Sequence, residues 1–308
     1  MNIMTLINAL PGAVAQGLIW GIMAIGVYLT FRILDFADLT VDGSMCTGGA
    51  VCIMMMQAGF GVWPSMLAAT GAGMLTGLAT GIFHTCMGIP AILSGILTQL
   101  SLYSVNLKIM GKANQAISVG KYDLLVSLRY IKGVPFYQNT IFVVAVFIVV
   151  LIAVLYWFFG TELGCAIRAT GCNSSMSRAQ GINTSFNKVL GLMVSNGLVA
   201  LSSALFAQYQ GFADINMGRG AIVIGLAAVI IGEAVFSKIF RNFALRLLGV
   251  ALGSILYYLV LQTVIWLGID TDLLKLLSAI VVAIFLATPY WKGKYFSKPM
   301  KRGGNSNA

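Results

Sequence analysis

Residues 161–188 read TELGCAIRATGCNSSMSRAQGINTSFNK, the longest polar interruption between two membrane-length apolar runs in the second half of the chain. Glu162, Arg168, Arg178 and Lys188 fall within it, with glycines at 164, 171 and 181. Each charge would cost a few kcal/mol or more in hydrocarbon, so the stretch lies outside the bilayer. LGCAIRAT has no proline and carries small residues, which suits a short helix pressed closely against another surface. The apolar runs on either side of it decide the class of fold.

The whole chain is 59% hydrophobic and 9% charged, with a mean hydropathy of +0.91. Soluble domains carry roughly 25% charged residues, so this is a polytopic membrane protein. Apolar runs of about 18–24 residues without a charge exclude the alternating segments of about ten residues found in a β-barrel. The fold class is therefore all-α, because helices satisfy their backbone groups internally. Nine spans are expected, at 11–31, 43–60, 63–83, 89–109, 139–159, 188–209, 220–238, 244–267 and 272–288. Residues 1–290 form one transmembrane domain, with 161–187 as its cytosolic segment and 291–308 as a basic tail.

An odd number of spans puts the two ends on opposite sides. With the N-terminus outside, twelve of the 19 Lys and Arg residues face the cytosol and seven do not. The count favours this orientation, although Lys112, Lys121, Arg129 and Lys132 then lie outside. The tail WKGKYFSKPMKR is expected to contact anionic lipid on the cytosolic side. The net charge of +10 reads as a topology signal and gives no reason to expect nucleic acid. Five cysteines form no CxxC pair and read as small buried hydrophobes. The N-terminus MNIMTLINALPG lacks a basic n-region and is expected to lead directly into the first span.

Gly73, Gly77 and Gly81 recur every fourth residue in the third span, a ridge that lets helices approach closely, here expected within one subunit. Between the first two spans, FRILDFADLTVDGSMCTGGAV (31–51) holds Asp35, Asp38, Thr40 and Asp42 in otherwise apolar surroundings. One aspartate can cap a helix, but three need more, so a discontinuous segment lining a cavity is expected here. FADL at 36–39 returns as FADI at 212–215, five spans later and hence on the opposite membrane side, which is the arrangement of an inverted repeat.

Further pathway candidates are Glu233 in VIIGEAVF, Gln99 and Asn106 within the fourth span, and Asn114 and Asn216 in the outer patches MGKANQ and INMGRG. Glu233 is alternatively a partner for Lys238 or Arg241. Tyr103, Trp63 and Tyr209 read as interfacial anchors or pathway linings. The single histidine, His84, reads as an interfacial residue and not a metal ligand. No GxxxxGK[ST], GxSxG or HExxH occurs, so no catalytic residue, metal site or cofactor is expected, and ATP hydrolysis must come from another chain.

Two motifs carry a family resemblance: RILDFADLTVDGSMCTGGA (32–50) and GTELGCAIRATGCNSSMSRAQGI (160–182). The chain resembles the permease subunit of ABC importers of the branched-chain amino-acid, ribose and autoinducer type. DLTVDGS is most similar to the subgroup linked to tryptophan and tyrosine uptake, and departs from ordinary branched-chain permeases, where Gly and Glu are more usual. The resemblance implies an amino-acid importer with an aromatic cargo in a bacterial cytoplasmic membrane. It also implies an ABC ATPase, an extracytoplasmic substrate-binding lipoprotein, and a second permease that is a homodimer mate or a paired chain.

In such a family the second motif is a coupling helix that docks on the ATPase. The matching positions are Ala166, Arg168, Ala169, Gly171, Asn173 and Gly181, with Glu162 and Arg178 beside them. Arg168 would pair with a carboxylate on the ATPase or with a lipid phosphate, Glu162 would favour the helix dipole, and Gly171 would end the helix. The alternative from another class is an ion-coupled secondary transporter working without an ATPase, with Asp35, Asp38, Asp42 and Glu233 binding protons or sodium.

Overall fold

The computed structural model describes residues 3–118, 122, 124–131, 135, 138–236 and 239–267, with isolated positions 273, 276, 279, 280, 282–284 and 287 beyond. The expected span 272–288 therefore falls outside the described residues apart from those positions, and the basic tail and Lys238 fall outside them entirely. The helices in order are α1 (Ile3–Tyr28), α2 (Val41–Gln57), α3 (Val62–Thr85), α4 (Ala91–Met110), α5 (Thr140–Gly160), α6 (Glu162–Cys172), α7 (Ser174–Ala179), α8 (Thr184–Gln210), α9 (Ala221–Phe236) and α10 (Phe243–Trp266). Each of the first eight expected spans coincides with one of these helices. Five described helices are long and apolar enough to cross a membrane: Ile7–Ile33, α3, α5, α8 and α10.

The arrangement follows from which faces are apolar. α1 is apolar all round and sits at the centre, with Ile19, Ile22, Met23 and Ile25 wholly buried. α5 is as apolar but peripheral, and exposes Val149, Val150, Val154 and Trp157 as a lipid-facing helix does. α3 lies along α8, α10 along α1 and α9, and α2 between α8, α3 and α4. The α3–α8 seam is the glycine ridge. A Cβ on Gly73 would meet Ala200 Cβ and the Asn196 carbonyl, one on Gly77 the Leu192 carbonyl, and one on Gly81 would sit 2.9 Å from Val189 Cγ2. The ridge thus packs within the subunit, as expected.

Two departures from straight helices matter. α1 runs into a π-helical turn, Leu29–Ile33, after which Asp35 takes a left-handed φ of +51° that aspartate tolerates better than most residues. The chain then continues in irregular backbone to Val41. An all-helical expectation also missed a two-stranded ribbon, β1 (Asn114–Ala116) antiparallel to β2 (Phe212–Asp214), paired Asn114 to Asp214. Three-residue strands carry no usable alternation in sequence. The ribbon joins the polar stretches MGKANQ and INMGRG, because Asn114 Nδ2 donates to Asp214 Oδ2 at 3.2 Å.

Candidate functional site

The segment 161–188 is divided by its caps. Thr161 Oγ1 accepts from Gly164 N at 3.4 Å to start α6, Asn173 Oδ1 accepts from Met176 N at 3.0 Å to start α7, and Asn183 Oδ1 accepts from Phe186 N at 3.1 Å to start α8. Gly181, with a φ of +82°, makes the turn between α7 and α8. Glu162 stands exposed in the first turn of α6, favourably placed for the helix dipole.

Gly171 does not end the helix, contrary to the sequence-based expectation. It lies inside α6, and a Cβ there would run into the Ile33 carbonyl at the end of the π-helical turn. The glycine serves close approach, which sequence spacing alone cannot distinguish from a helix stop. Arg168 also differs from expectation. Its guanidinium lies 4.2 Å from the Phe243 ring centroid at the start of α10 and 5.6 Å from that of Phe159 at the end of α5. It is turned inward onto aromatic faces.

α6 has two further attachments. Asn187 of α8 donates from Nδ2 to Thr170 Oγ1 at 3.2 Å, and Gly164 packs on the Phe158 carbonyl and Phe159 Cα. Ala166 and Ala169 are half-buried. Arg178 is exposed and donates to Thr184 Oγ1 at 3.2 Å. Leu163, Cys172, Asn173 and Met176 are left exposed, with Met176 at 63%.

The pathway candidates separate into four places. Asp38 and Thr40 lie in a buried polar network. Asp38 Oδ1 accepts from Thr40 N at 2.9 Å and Oδ2 from Asn196 Nδ2 at 2.7 Å. Ser44 Oγ donates to Asn196 Oδ1 at 2.6 Å and lies 2.6 Å from Thr76 Oγ1. Thr40 Oγ1 lies 2.6 Å from Thr80 Oγ1, which donates to Thr98 Oγ1 at 2.9 Å. The network ties the 34–40 segment to α2, α3, α4 and α8. Sequence reading passed over Asn196, Thr76, Thr80 and Thr98, and took Ser44 only as a possible cap of the second span. A lone Asn in an apolar span and hydroxyls four apart on one helical face were the available signals.

Asp42, Gln99 and Asn106 line a cavity of about 300 Å³, together with Cys46, Tyr103 and Arg219. Asp42 also caps α9 from a distance in sequence, its carboxylate accepting from Gly220 N and Ile222 N at 3.0 Å each. α2 and α9 have 17 and 16 residues, so each reaches only about 25 Å. Both are shorter than the roughly 30 Å hydrocarbon core, and their N-termini meet at Asp42. Asn114 and Asn216 sit on or beside the ribbon, where Asn216 N donates to Asp214 Oδ1 at 2.7 Å. Asp35 is exposed and joins none of these groups.

Glu233 lies near the far end of α9 and pairs with Arg32 at 3.0 Å, not with Arg241. The pair borders a cavity of about 500 Å³ with Phe31, Phe240 and Arg246. Side-chain exposures of 59% and 34% leave it well solvated. We expect Glu233→Gln to shift stability by less than about 1 kcal/mol, as exposed ion pairs do. Thermal unfolding of the purified chain at low and high salt checks this.

Other residues resolve into local roles. His84 Nδ1 lies 2.9 Å from the Ile89 carbonyl and so is the protonated nitrogen, which leaves Nε2 to accept from Lys188 Nζ at 3.4 Å. Cys46 and Cys52 are buried as expected, but Cys86, Cys165 and Cys172 are exposed because they occupy turns and the surface of α6. Trp63 is exposed and stacks on Phe147, as an anchor would, whereas Tyr209 is buried and donates to the Gly12 carbonyl at 3.3 Å.

Comparison with known proteins places this architecture. The family described as "Branched-chain amino acid transport system / permease component" matches residues 10–286. The chain is 38% identical over 281 residues to the "Tyrosine transport system permease protein" of Clostridioides difficile (strain R20291), covering 91% of each chain. It is 28% identical over 271 residues to the fructose import permease protein FruF of Bifidobacterium longum (strain NCC 2705), covering 86% of this chain and 73% of that one. Among solved structures, PsaBC from Streptococcus pneumoniae in complex with Fab matches with a TM-score of 0.54 at 16% identity, covering 95% of this chain and 100% of that one, a likeness of fold alone. The chain belongs to the branched-chain amino acid transport system permease family, and is a multi-pass transport subunit of the ABC-importer type and not an enzyme.

Proposed function

We propose that this chain is the membrane-spanning subunit of an ATP-driven importer that carries an aromatic amino acid across the cytoplasmic membrane. The observation that carries the reading is the seating of α6. One short helix is fastened to α5 through Gly164, to the end of α1 through Gly171, to α8 through Asn187 and to α10 through Arg168. A push on the exposed side of α6 and α7 reaches four spans at once, as a mechanical coupling to an ATPase demands. Glu162, Asn173, Arg178 and Gly181 supply the polar part of that docking face. Arg168 and Gly171 hold it to the bundle, with the small Ala166 and Ala169 near them in sequence.

The tyrosine-transport relative supports the cargo class. In this reading the N-terminus is outside, residues 161–187 and the basic tail 291–308 are cytosolic, and a binding protein delivers cargo at the β1–β2 ribbon. A second permease, most simply another copy, completes the pathway. The domain runs over 1–290 with nine spans. An inverted repeat is supported by a shared local device: Asp38 accepts from the N–H of Thr40, and Asp214 from the N–H of Asn216, each just before a short helix. An ion-coupled carrier finds no comparable support. Asp35, Asp38, Asp42 and Glu233 are dispersed, and the last three are engaged with protein donors.

The test is Arg168→Glu in the reconstituted complex with its ATPase and binding protein. We expect binding-protein-stimulated ATP hydrolysis to fall about tenfold, the equivalent of roughly 1.4 kcal/mol, while basal hydrolysis persists and Arg168→Lys retains most of the stimulation. Unchanged stimulation in Arg168→Glu would remove α6 from the coupling path.

A further inference from the structure

The cavity between α2, α4 and the segment after β2 contains a group that the fold does not explain. Asn106 is fully buried there, and neither its Oδ1 nor its Nδ2 meets a hydrogen-bond partner. Buried amides are almost always satisfied, and leaving both ends unmade is unfavourable. An orphaned amide facing a cavity points to a partner that comes and goes. The remaining lining narrows its chemistry. Arg219 is an exposed cation at one side, and Asp42 supplies a carboxylate whose N–H partners at the start of α9 do not exhaust its lone pairs. Tyr103 presents a 47% exposed ring, and Gln99 a half-buried amide with Leu100 beside it.

We infer that this cavity is a resting site for an aromatic α-amino acid in passage. The ligand carboxylate pairs with Arg219, its ammonium group lies between Asp42 and Asn106 Oδ1, and its ring packs on Tyr103 and Leu100. Opposite charges in one lining select a zwitterion over a neutral sugar, whose hydroxyls need neither. The volume of about 300 Å³ is at the small end for ligand cavities and suits a single amino acid. Asp42 links occupancy to the bundle, because the same carboxylate holds the N-terminus of α9. This assignment rests on the amino-acid reading above.

The experiment measures L-tyrosine binding to the full-length permease in lipid nanodiscs by scintillation proximity, with competition by tyramine, 3-(4-hydroxyphenyl)propionate and fructose. We expect saturable binding that tyramine and the propionate, each lacking one charge, compete for at least tenfold more weakly than unlabelled L-tyrosine. Fructose should not compete. Asn106→Leu and Arg219→Ala should each weaken binding at least tenfold. Asn106→Leu should also keep or raise the unfolding temperature, since it removes an orphaned amide from the core. A purely structural Asn106 would lower that temperature instead and overturn the site. Absence of L-tyrosine binding to the folded wild-type chain, or binding indifferent to both substitutions, equally overturns it. L-Tyrosine uptake by cells carrying the complete transport system then reports separately on the amino-acid reading.

Discussion

Gly77→Leu is expected to prevent the chain from accumulating as a folded, monodisperse species, whereas Gly71→Ala, in the same helix, is expected to leave it intact. The difference lies in what a side chain meets. A Cβ on Gly77 would run into the carbonyl oxygen of Leu192, 2.6 Å from the carbonyl carbon and 2.9 Å from Met193 Cα. All three are backbone atoms of α8, so no rotamer change relieves the clash. Overpacked cores lose about 1–3 kcal/mol where side chains can yield. Here two helices must part, and Gly73 and Gly81 on the same ridge lose their contacts with α8 as well. At Gly71 nothing lies within 4 Å, and replacing a mid-helix glycine by alanine adds roughly 0.5–1 kcal/mol of helix stability. Fluorescence-detected size exclusion and the apparent unfolding temperature separate the two. A wild-type profile for Gly77→Leu would contradict the packing described for α3 and α8.

Asp38→Ala is the second substitution with a large expected effect. Asp38 is 3% exposed, and each carboxylate oxygen has one donor, from Thr40 N–H and Asn196 Nδ2. Removing the acceptor strands the Thr40 N–H and one N–H of the Asn196 amide in the bundle interior, while Asn196 Nδ2 keeps its 3.0 Å bond to the Leu192 carbonyl. Leaving a buried donor unmade costs about 1–3 kcal/mol per group, so a loss of roughly 2–5 kcal/mol is expected. Asp38→Asn should fall between Ala and wild type, because its amide can still accept from one donor but turns an N–H₂ toward the other. The double variant Asp38→Leu with Asn196→Leu should be less destabilised than the two single changes added together, because no unmatched pair survives between those side chains. Unfolding midpoints of these five variants and the wild type in one detergent give the comparison. Additive losses would mean that the 2.7 Å contact carries no coupling.

Much of the fold could be read from the residues because its signals are local. Unbroken apolar runs mark the positions of α1 to α5 and α8 to α10, whereas the caps Thr161, Asn173 and Asn183 that start α6, α7 and α8 were recognised only in the structure. The glycine spacing of α3 announces a close helix contact, though not which helix answers it. The candidate site was less legible. Asp42, Gln99 and Asn106 stood out as polar groups in apolar runs, and the fold brings them to one cavity. Glu233, found by the same signal, lies at the other end of α9 with Arg32, a residue 201 positions away in sequence. Asn196 went unnoticed because a single amide in a long span reads as helix contact until Asp38 is seen across from it.

By itself, the sequence determined that the chain is a helical membrane protein, where most of its helices lie, and to which family its motifs point. These follow from hydropathy, run length and local motifs, which act within a few residues. Only the tertiary structure decided that Gly171 seats α6 on Ile33, that Arg168 turns inward onto Phe243, that Asp42 joins the starts of α2 and α9, and that Asn106 is left without a partner. Each of those depends on which atom from a distant segment arrives within a few ångströms, and helix packing sets that after the local choices have been made.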